Sequence, residues 1–256
     1  MNNTITYEFP LNEKIRTFIR LEYLFEQFIH FSEGHSTADK RAAVSSLLDI
    51  IAVFKRTDLR SDVLKELNHQ TSVFKKIASH EGVNEEKLQE VLDQINQITK
   101  RLYDINGRVG SHLEENELLQ SITQRSSIPG GTYSFDLPEY HYWLTQDESI
   151  QAKDLQIWSQ PFIEVHNALI VILNFIRTSR PPRQEIAEAG FFQVSLDKTH
   201  PFQLIKVTLD DSTGCFAEIS GGKHRCNIRF MEPASDNKRA RQSANDIPFT
   251  LTRCFF

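Results

Sequence analysis

IKVTLDDSTGCFAEISGGKHRCNIRFM, residues 205–231, decides the second half of the fold. Ile205, Val207 and Leu209 alternate with Lys206 and Thr208, the period of two that marks a half-buried strand. Asp210-Asp211-Ser212-Thr213-Gly214 is turn chemistry and leads into a second strand from Cys215 to Ile219. Ser220-Gly221-Gly222-Lys223 turns the chain again into Arg225–Met231. There Cys226, Ile228 and Phe230 share one face, while Arg225 and Arg229, an even number apart, share the other. Working outward, Phe191-Phe192-Gln193-Val194 predicts a strand before this stretch, and Phe249 and Leu251 lie on one side of a strand after it. Residues 233–246 hold no aliphatic side chain larger than alanine and are expected to form a mobile loop.

At the other end of the chain, Ile5, Tyr7 and Phe9 alternate with Thr4, Thr6 and Glu8 until Pro10 ends the pattern. A lone strand leaves an unpaired edge, so its natural partners are the C-terminal strands. Between the two ends the period is helical. Asn12 can cap a helix carrying Ile15, Phe18, Ile19, Phe25 and Phe28. Further stripes run through Val44, Leu47, Leu48, Ile51 and Phe54, then Val63, Leu64, Leu67, Phe74 and Ile77. From the Asn84 cap to about Asn106, Leu88, Leu92, Ile95, Ile98, Leu102 and Ile105 keep a spacing of three and four, and Gly107 stops the helix. This stripe suits a core face in a bundle better than a coiled-coil seam. Ser111 and Glu114 have capping-box spacing before Leu118, Leu119 and Ile122. Pro129-Gly130-Gly131 breaks the pattern, Trp158–Ile176 resumes it, and Pro181-Pro182 ends it. The expected fold is therefore α+β. A central helical bundle domain, residues 12–178, is inserted between an N-terminal strand and a C-terminal antiparallel β-strand domain, residues 1–11 plus 179–256.

The 256 residues are 39% hydrophobic and 25% charged, with a formal net charge of −5. That balance argues against a general nucleic-acid binder, which needs a basic surface. No apolar run approaches the ~18–20 residues of a membrane span, and Met1-Asn2-Asn3-Thr4 lacks the layout of a signal peptide. Cys215, Cys226 and Cys254 are odd in number and lack paired spacing, which fits reduced thiols in a cytoplasm. The expectation is a cytoplasmic protein with neither a nucleic-acid nor a membrane partner.

Searching for chemistry returns little. Gly221-Gly222-Lys223-His224 ends like a phosphate loop, but the first glycine of that motif would fall at Ala217 and a histidine follows the lysine. A hairpin turn is the simpler reading. Cys215, His224 and Cys226 lack the spacing of a metal site, and neither a nucleophile elbow nor a zinc-binding helix motif is present. No catalytic residue, metal or cofactor is expected. The remaining signal is charge placement. Arg16 and Arg20, four apart, share one face of the first helix, and Arg225 and Arg229 share one face of a strand. Were the N-terminal strand to join the sheet of Arg225 and Arg229, both pairs could lie near the seam between the domains. Arginine forks bind carboxylates well. The alternative is that these side chains pair with internal acids or only solvate a surface.

Several blocks follow one another in order along the chain. The first are Tyr7-Glu8-Phe9-Pro10-Leu11-Asn12-Glu13-Lys14-Ile15-Arg16-Thr17 with Arg20-Leu21-Glu22, and Leu64-Lys65-Glu66-Leu67. Then follow Arg125-Ser126-Ser127-Ile128-Pro129-Gly130-Gly131, Ser134-Phe135-Asp136-Leu137-Pro138 and His141 with Trp143-Leu144. The last is Ile219-Ser220-Gly221 with Lys223, Arg225 and Ile228-Arg229-Phe230-Met231. Together these blocks resemble the ZapD family of FtsZ-associated division proteins, a match that is poor beyond residue 231. The resemblance implies a homodimer that binds the C-terminal tail of the tubulin-like GTPase FtsZ and bundles its protofilaments at the midcell division ring. It implies tail contact by Arg20 and His141 and a role in bundling for Arg225 and Arg229, while a further basic position of the family aligns near Glu117. His141 is equally readable as a core histidine within its aromatic neighbours. A generic helical interaction scaffold is the runner-up function, and a small-molecule enzyme the third. Asp246-Ile247-Pro248-Phe249 and Leu251 resemble the core of an FtsZ tail, although an edge strand opening with proline explains them more simply.

Overall fold

The computed structural model describes residues 4–78, 83–197, 201–222, 224–234 and 239–256. The chain divides into two compact units, one of Met1–Phe18 with Leu173–Phe256 and one of Ile19–Ile172. The α+β class and the order of strand, helices and strands are as the sequence predicts.

In the strand unit, β1 (Thr4–Pro10), β4 (Phe202–Asp210), β8 (Ile247–Phe255) and β2 (Arg183–Ala187) form one antiparallel sheet in the order β1-β4-β8-β2. A second antiparallel sheet has the order β3-β6-β5, from β3 (Phe191–Ser195), β6 (Arg225–Glu232) and β5 (Phe216–Gly221). One apolar core lies between the sheets. Ile205, Val207 and Leu251 face it from the first, and Val194, Ile228 and Phe230 from the second, all at 1% exposure or less. Phe249 joins the layers, its ring centre 5.2 Å from Phe192 and 4.9 Å from Phe230. Cys226 and Cys254 are buried as free thiols, and burial pushes both up to about 11, so they pack rather than react.

The N-terminal strand does pair with a C-terminal strand, in register from Thr4 opposite Asp210 to Pro10 opposite Leu204. It does not join the sheet of Arg225 and Arg229, however, because β6 belongs to the second sheet. The other face of β1 is tied down by Glu8, whose carboxylate accepts two hydrogen bonds from Arg177, both 2.8 Å. β8 lies inside its sheet rather than at an edge. Pro248 is tolerated there because the β4–β8 pairing ends at Thr208 opposite Thr250, leaving Pro248 paired with β2 alone. With Ile247, Phe249 and Leu251 buried, this stretch is sheet core.

Residues 233–246 are more structured than a loop reading allows, although 235–238 fall outside the described residues. Arg241–Gln242 form a two-residue strand, β7, beside β6. Ser243 is buried and donates its N–H to the Phe230 carbonyl at 2.9 Å. Asp246 accepts from Ala189 N at 2.9 Å, bracing the Ala189-Gly190 turn, where both residues have positive φ. A Cβ on Gly190 would stand 2.6 Å from the Ser243 carbonyl oxygen, so this turn admits only glycine at that position.

The helical unit begins within α1 (Glu13–Glu33) and ends within α8 (Ile163–Thr178). Between them lie α2 (Thr37–Arg56), α3 (Leu59–Ile77), α4 (Glu85–Tyr103), α5 (Glu117–Ser126), α6 (Pro138–Leu144) and α7 (Glu148–Ser159). The cap at Asn12 forms, with Ile15 N donating to its Oδ1 at 2.9 Å, and so does the cap at Asn84. α4 packs on α3 and buries Leu92, Ile95, Ile98 and Leu102, the bundle face the spacing predicts. The capping box at Ser111 and Glu114 does not form. Ser111–Glu115 make a short 3-10 turn, and Asn116 caps α5 instead, accepting from Leu119 N at 2.9 Å. Trp158–Ile176 is likewise not one helix. Pro161 lacks an N–H, and a 3-10 turn at Gln160–Phe162 separates α7 from α8. Together, Glu148–Thr178 is long and apolar enough by composition to cross a membrane, but Val165, Ala168, Leu169 and Ile172 are fully buried, the pattern of a core helix.

Candidate functional site

On β6, alternation does what the sequence predicts. Cys226, Ile228 and Phe230 are fully buried, and Arg225 and Arg229 project on the exposed face, about 13 Å apart along the strand. Arg229 is flanked in register by Phe191 on β3 and Glu218 on β5, and Arg225 by Ser195. Gln193 donates to Asn227 at 3.3 Å between the two arginines. Among the described residues neither guanidinium has an ion-pair partner. The Gly-Gly stretch before them is a hairpin turn. Gly222 N donates to the Arg225 carbonyl at 3.0 Å, and a Cβ on Gly221 would stand 2.5 Å from that oxygen.

The two arginines of α1 differ. Arg16 is engaged internally, paired with Glu13 and reaching toward the Pro10 carbonyl at 3.5 Å. For this residue the internal-pairing alternative holds. Arg20, one turn on, is exposed and has no ion-pair partner among the described residues. His141 is exposed on α6, so it is not the core histidine of its aromatic cluster. That cluster forms from its neighbours. Tyr140 and Trp143 stack with ring centres 6.0 Å apart, Trp143 meets Trp158 at 5.5 Å, and the Trp143 indole donates to Asp154 at 2.9 Å. Burial pushes the Tyr140 hydroxyl up to about 12, opposed by the Arg41 guanidinium 5.3 Å from its ring centre. No described contact joins His141 to Arg20.

A groove of about 500 Å³ beside α6 is lined by Tyr142, Trp143 and Trp158, and by Glu117, Glu139 and Asp154. Its aromatic character matches a peptide groove, whereas its three carboxylates repel an acidic peptide. Glu117, near which a basic position of the resembled family aligns, is part of this lining. Sequence reading missed a second group of cations, Arg180, Arg183 and Arg253. Arg253 stands some seventy residues from the other two, and Arg180 and Arg183 flank the Pro181-Pro182 pair that reads only as a helix stop.

The sequence model of one family, ZapD (cell division protein), matches residues 19–229. The chain is 42% identical over 254 residues to the cell division protein ZapD of Methylococcus capsulatus, a match covering 99% of each chain. It is 40% identical over 250 residues to the cell division protein ZapD of Nitrosomonas eutropha, covering 98% of this chain and 99% of the relative. With matches running through both the strand unit and the helical unit, the chain belongs to the ZapD family of cell division proteins.

Proposed function

We propose that this chain is a non-catalytic cytoplasmic adaptor that binds the C-terminal tail of FtsZ and, as a homodimer, bundles FtsZ filaments at the midcell division ring. The observation that supports it is the state of the basic side chains. Arg20, His141, Arg225 and Arg229 are exposed without an ion-pair partner among the described residues, and so stand available to acidic partners. A short tail offers few contacts and binds one protomer weakly. Two tails held by one dimer gain avidity of ~10²- to 10⁴-fold where the geometry allows both, and tails from different filaments become a cross-link. Ile150 and Ile157 on α7, and Ile163 and Ile170 on α8, are each exposed and one heptad apart on their own helix, apolar side chains that self-association would cover.

The test is fluorescence anisotropy with a labelled FtsZ tail peptide. Arg20→Glu is expected to weaken binding about three- to tenfold, since it removes one exposed charge contact and adds a repulsive one. Unchanged affinity in a folded variant would refute the assignment of Arg20. A wild-type chain that ignores the peptide would favour the scaffold reading with another partner.

A further inference from the structure

The strand unit carries a cationic recess distinct from the exposed face of β6. Arg180 follows α8, Arg183 opens β2, and Arg253 lies near the end of β8. With Phe202, Leu251 and Phe255 they line a cavity of about 300 Å³. The sheet register builds it. Arg183 lies opposite Leu251 and Phe202 opposite Phe255, and directly opposed residues of an antiparallel pair point to one face. The two phenylalanine rings meet edge to face at 5.1 Å. The Arg180 guanidinium lies 3.9 Å from the centre of the Phe255 ring, so an aromatic face holds it in place.

The charges do not balance. Glu185 lies 3.6 Å from Arg253, while Arg180 and Arg183 are exposed and have no ion-pair partner among the described residues. In a chain of net charge −5, three guanidinium groups around one aromatic recess with a single carboxylate is a local reversal of sign. Planar forks beside aromatic rings suit a carboxylate carried next to an apolar group. The volume is at the lower end of ligand pockets, roughly 300–1,000 Å³, which admits one residue and not a helix. A polypeptide's last residue offers its α-carboxylate and its side chain from a single Cα, and so matches both halves of the recess.

The geometry points to a site for the C-terminal residue of a partner polypeptide. Its α-carboxylate lies between Arg180 and Arg183, and its apolar side chain rests on the half-buried rings of Phe202 and Phe255. This goes beyond the tail-binding reading, because none of Arg20, His141, Arg225 and Arg229 lines the recess, and either can fail without the other.

Isothermal titration of the full chain with acetyl-Gly-Ser-Gly-Leu tests it, comparing the free acid with the C-terminal amide. The free acid is expected to bind saturably in the submillimolar range and the amide about tenfold more weakly, as befits loss of a charge-assisted hydrogen-bonded group. Arg183→Ala is expected to cost a similar factor, and Arg183→Lys a smaller one because it keeps the charge but not the fork. Equal affinity for acid and amide would overturn the proposal, as would no saturable binding of the acid at millimolar concentration. A glycine-terminated peptide binding as tightly as the leucine peptide would also overturn it. The comparison of acid with amide uses the unsubstituted chain and so does not depend on how any variant folds.

Discussion

Replacing Arg225 and Arg229 together with alanine is expected to reduce the low-speed pelleting of FtsZ filaments by this chain at least fivefold and to leave its melting temperature within about 2 °C of the parent. The two halves of that expectation have separate causes. Both side chains are exposed and lack ion pairs among the described residues, so removing them opens no cavity and strands no buried charge. As contacts to filaments, each exposed charge pair is worth about 0.2–1 kcal/mol. A bridge that uses both arginines on each of two protomers therefore loses roughly 1–4 kcal/mol. At 1.4 kcal/mol per factor of ten this is a large fraction of a weak cross-link. Alanine is the cleaner substitution, because glutamate at position 229 would face Glu218 across the β5–β6 pair and add a repulsion of its own. The same contacts should weaken as salt rises. Undiminished pelleting by a folded double variant would remove β6 from the bundling surface.

One position further along the strand, the expected effect changes in kind. Phe230→Ala should destabilise the chain by about 3–5 kcal/mol, the usual cost of removing a fully buried phenylalanine. Phe230 has no exposure, and its ring lies 4.9 Å from that of Phe249, which itself touches Phe192. Truncation would hollow the place where the two sheets meet. Because domains are stable by only about 5–15 kcal/mol, urea unfolding should show most of that margin gone. A loss below about 1 kcal/mol would mean that the two sheets do not share the core described. Adjacent residues of β6 thus differ in kind: the inward ring is buried between the sheets and the outward arginine is exposed.

Much of this was legible in the sequence wherever burial was one-sided. β4 and β6 announce themselves because every second residue enters one core, and α4 does so because Leu92, Ile95, Ile98 and Leu102 fall on one helical face. β2 was not legible. Of Arg183-Gln184-Glu185-Ile186-Ala187, only Ala187 is buried, while Ile186 is 60% exposed, so an edge strand held by backbone pairing leaves no period of two. β7 is two residues long and is fixed by contacts to the Ala189-Gly190 turn that no local pattern encodes. The capping box misled because Asn116, two residues after Glu114, competes for the same role and wins by taking the N–H of Leu119. The charge pattern gave the exposed face of β6 correctly, but it could not say that Arg16 is held by Glu13 or that Arg180, Arg183 and Arg253 converge. Convergence of distant residues is a property of register, and a single sequence does not print it.

The central claim, that this chain joins FtsZ filaments through their tails, is most directly tested by low-speed co-sedimentation with full-length FtsZ and with FtsZ lacking its C-terminal tail. Full-length filaments should enter the pellet with this chain in an amount that rises with its concentration, and tail-less filaments should stay in the supernatant. Equal pelleting of both would contradict the account, because the chain would then be gripping the filament body and the tail would be incidental.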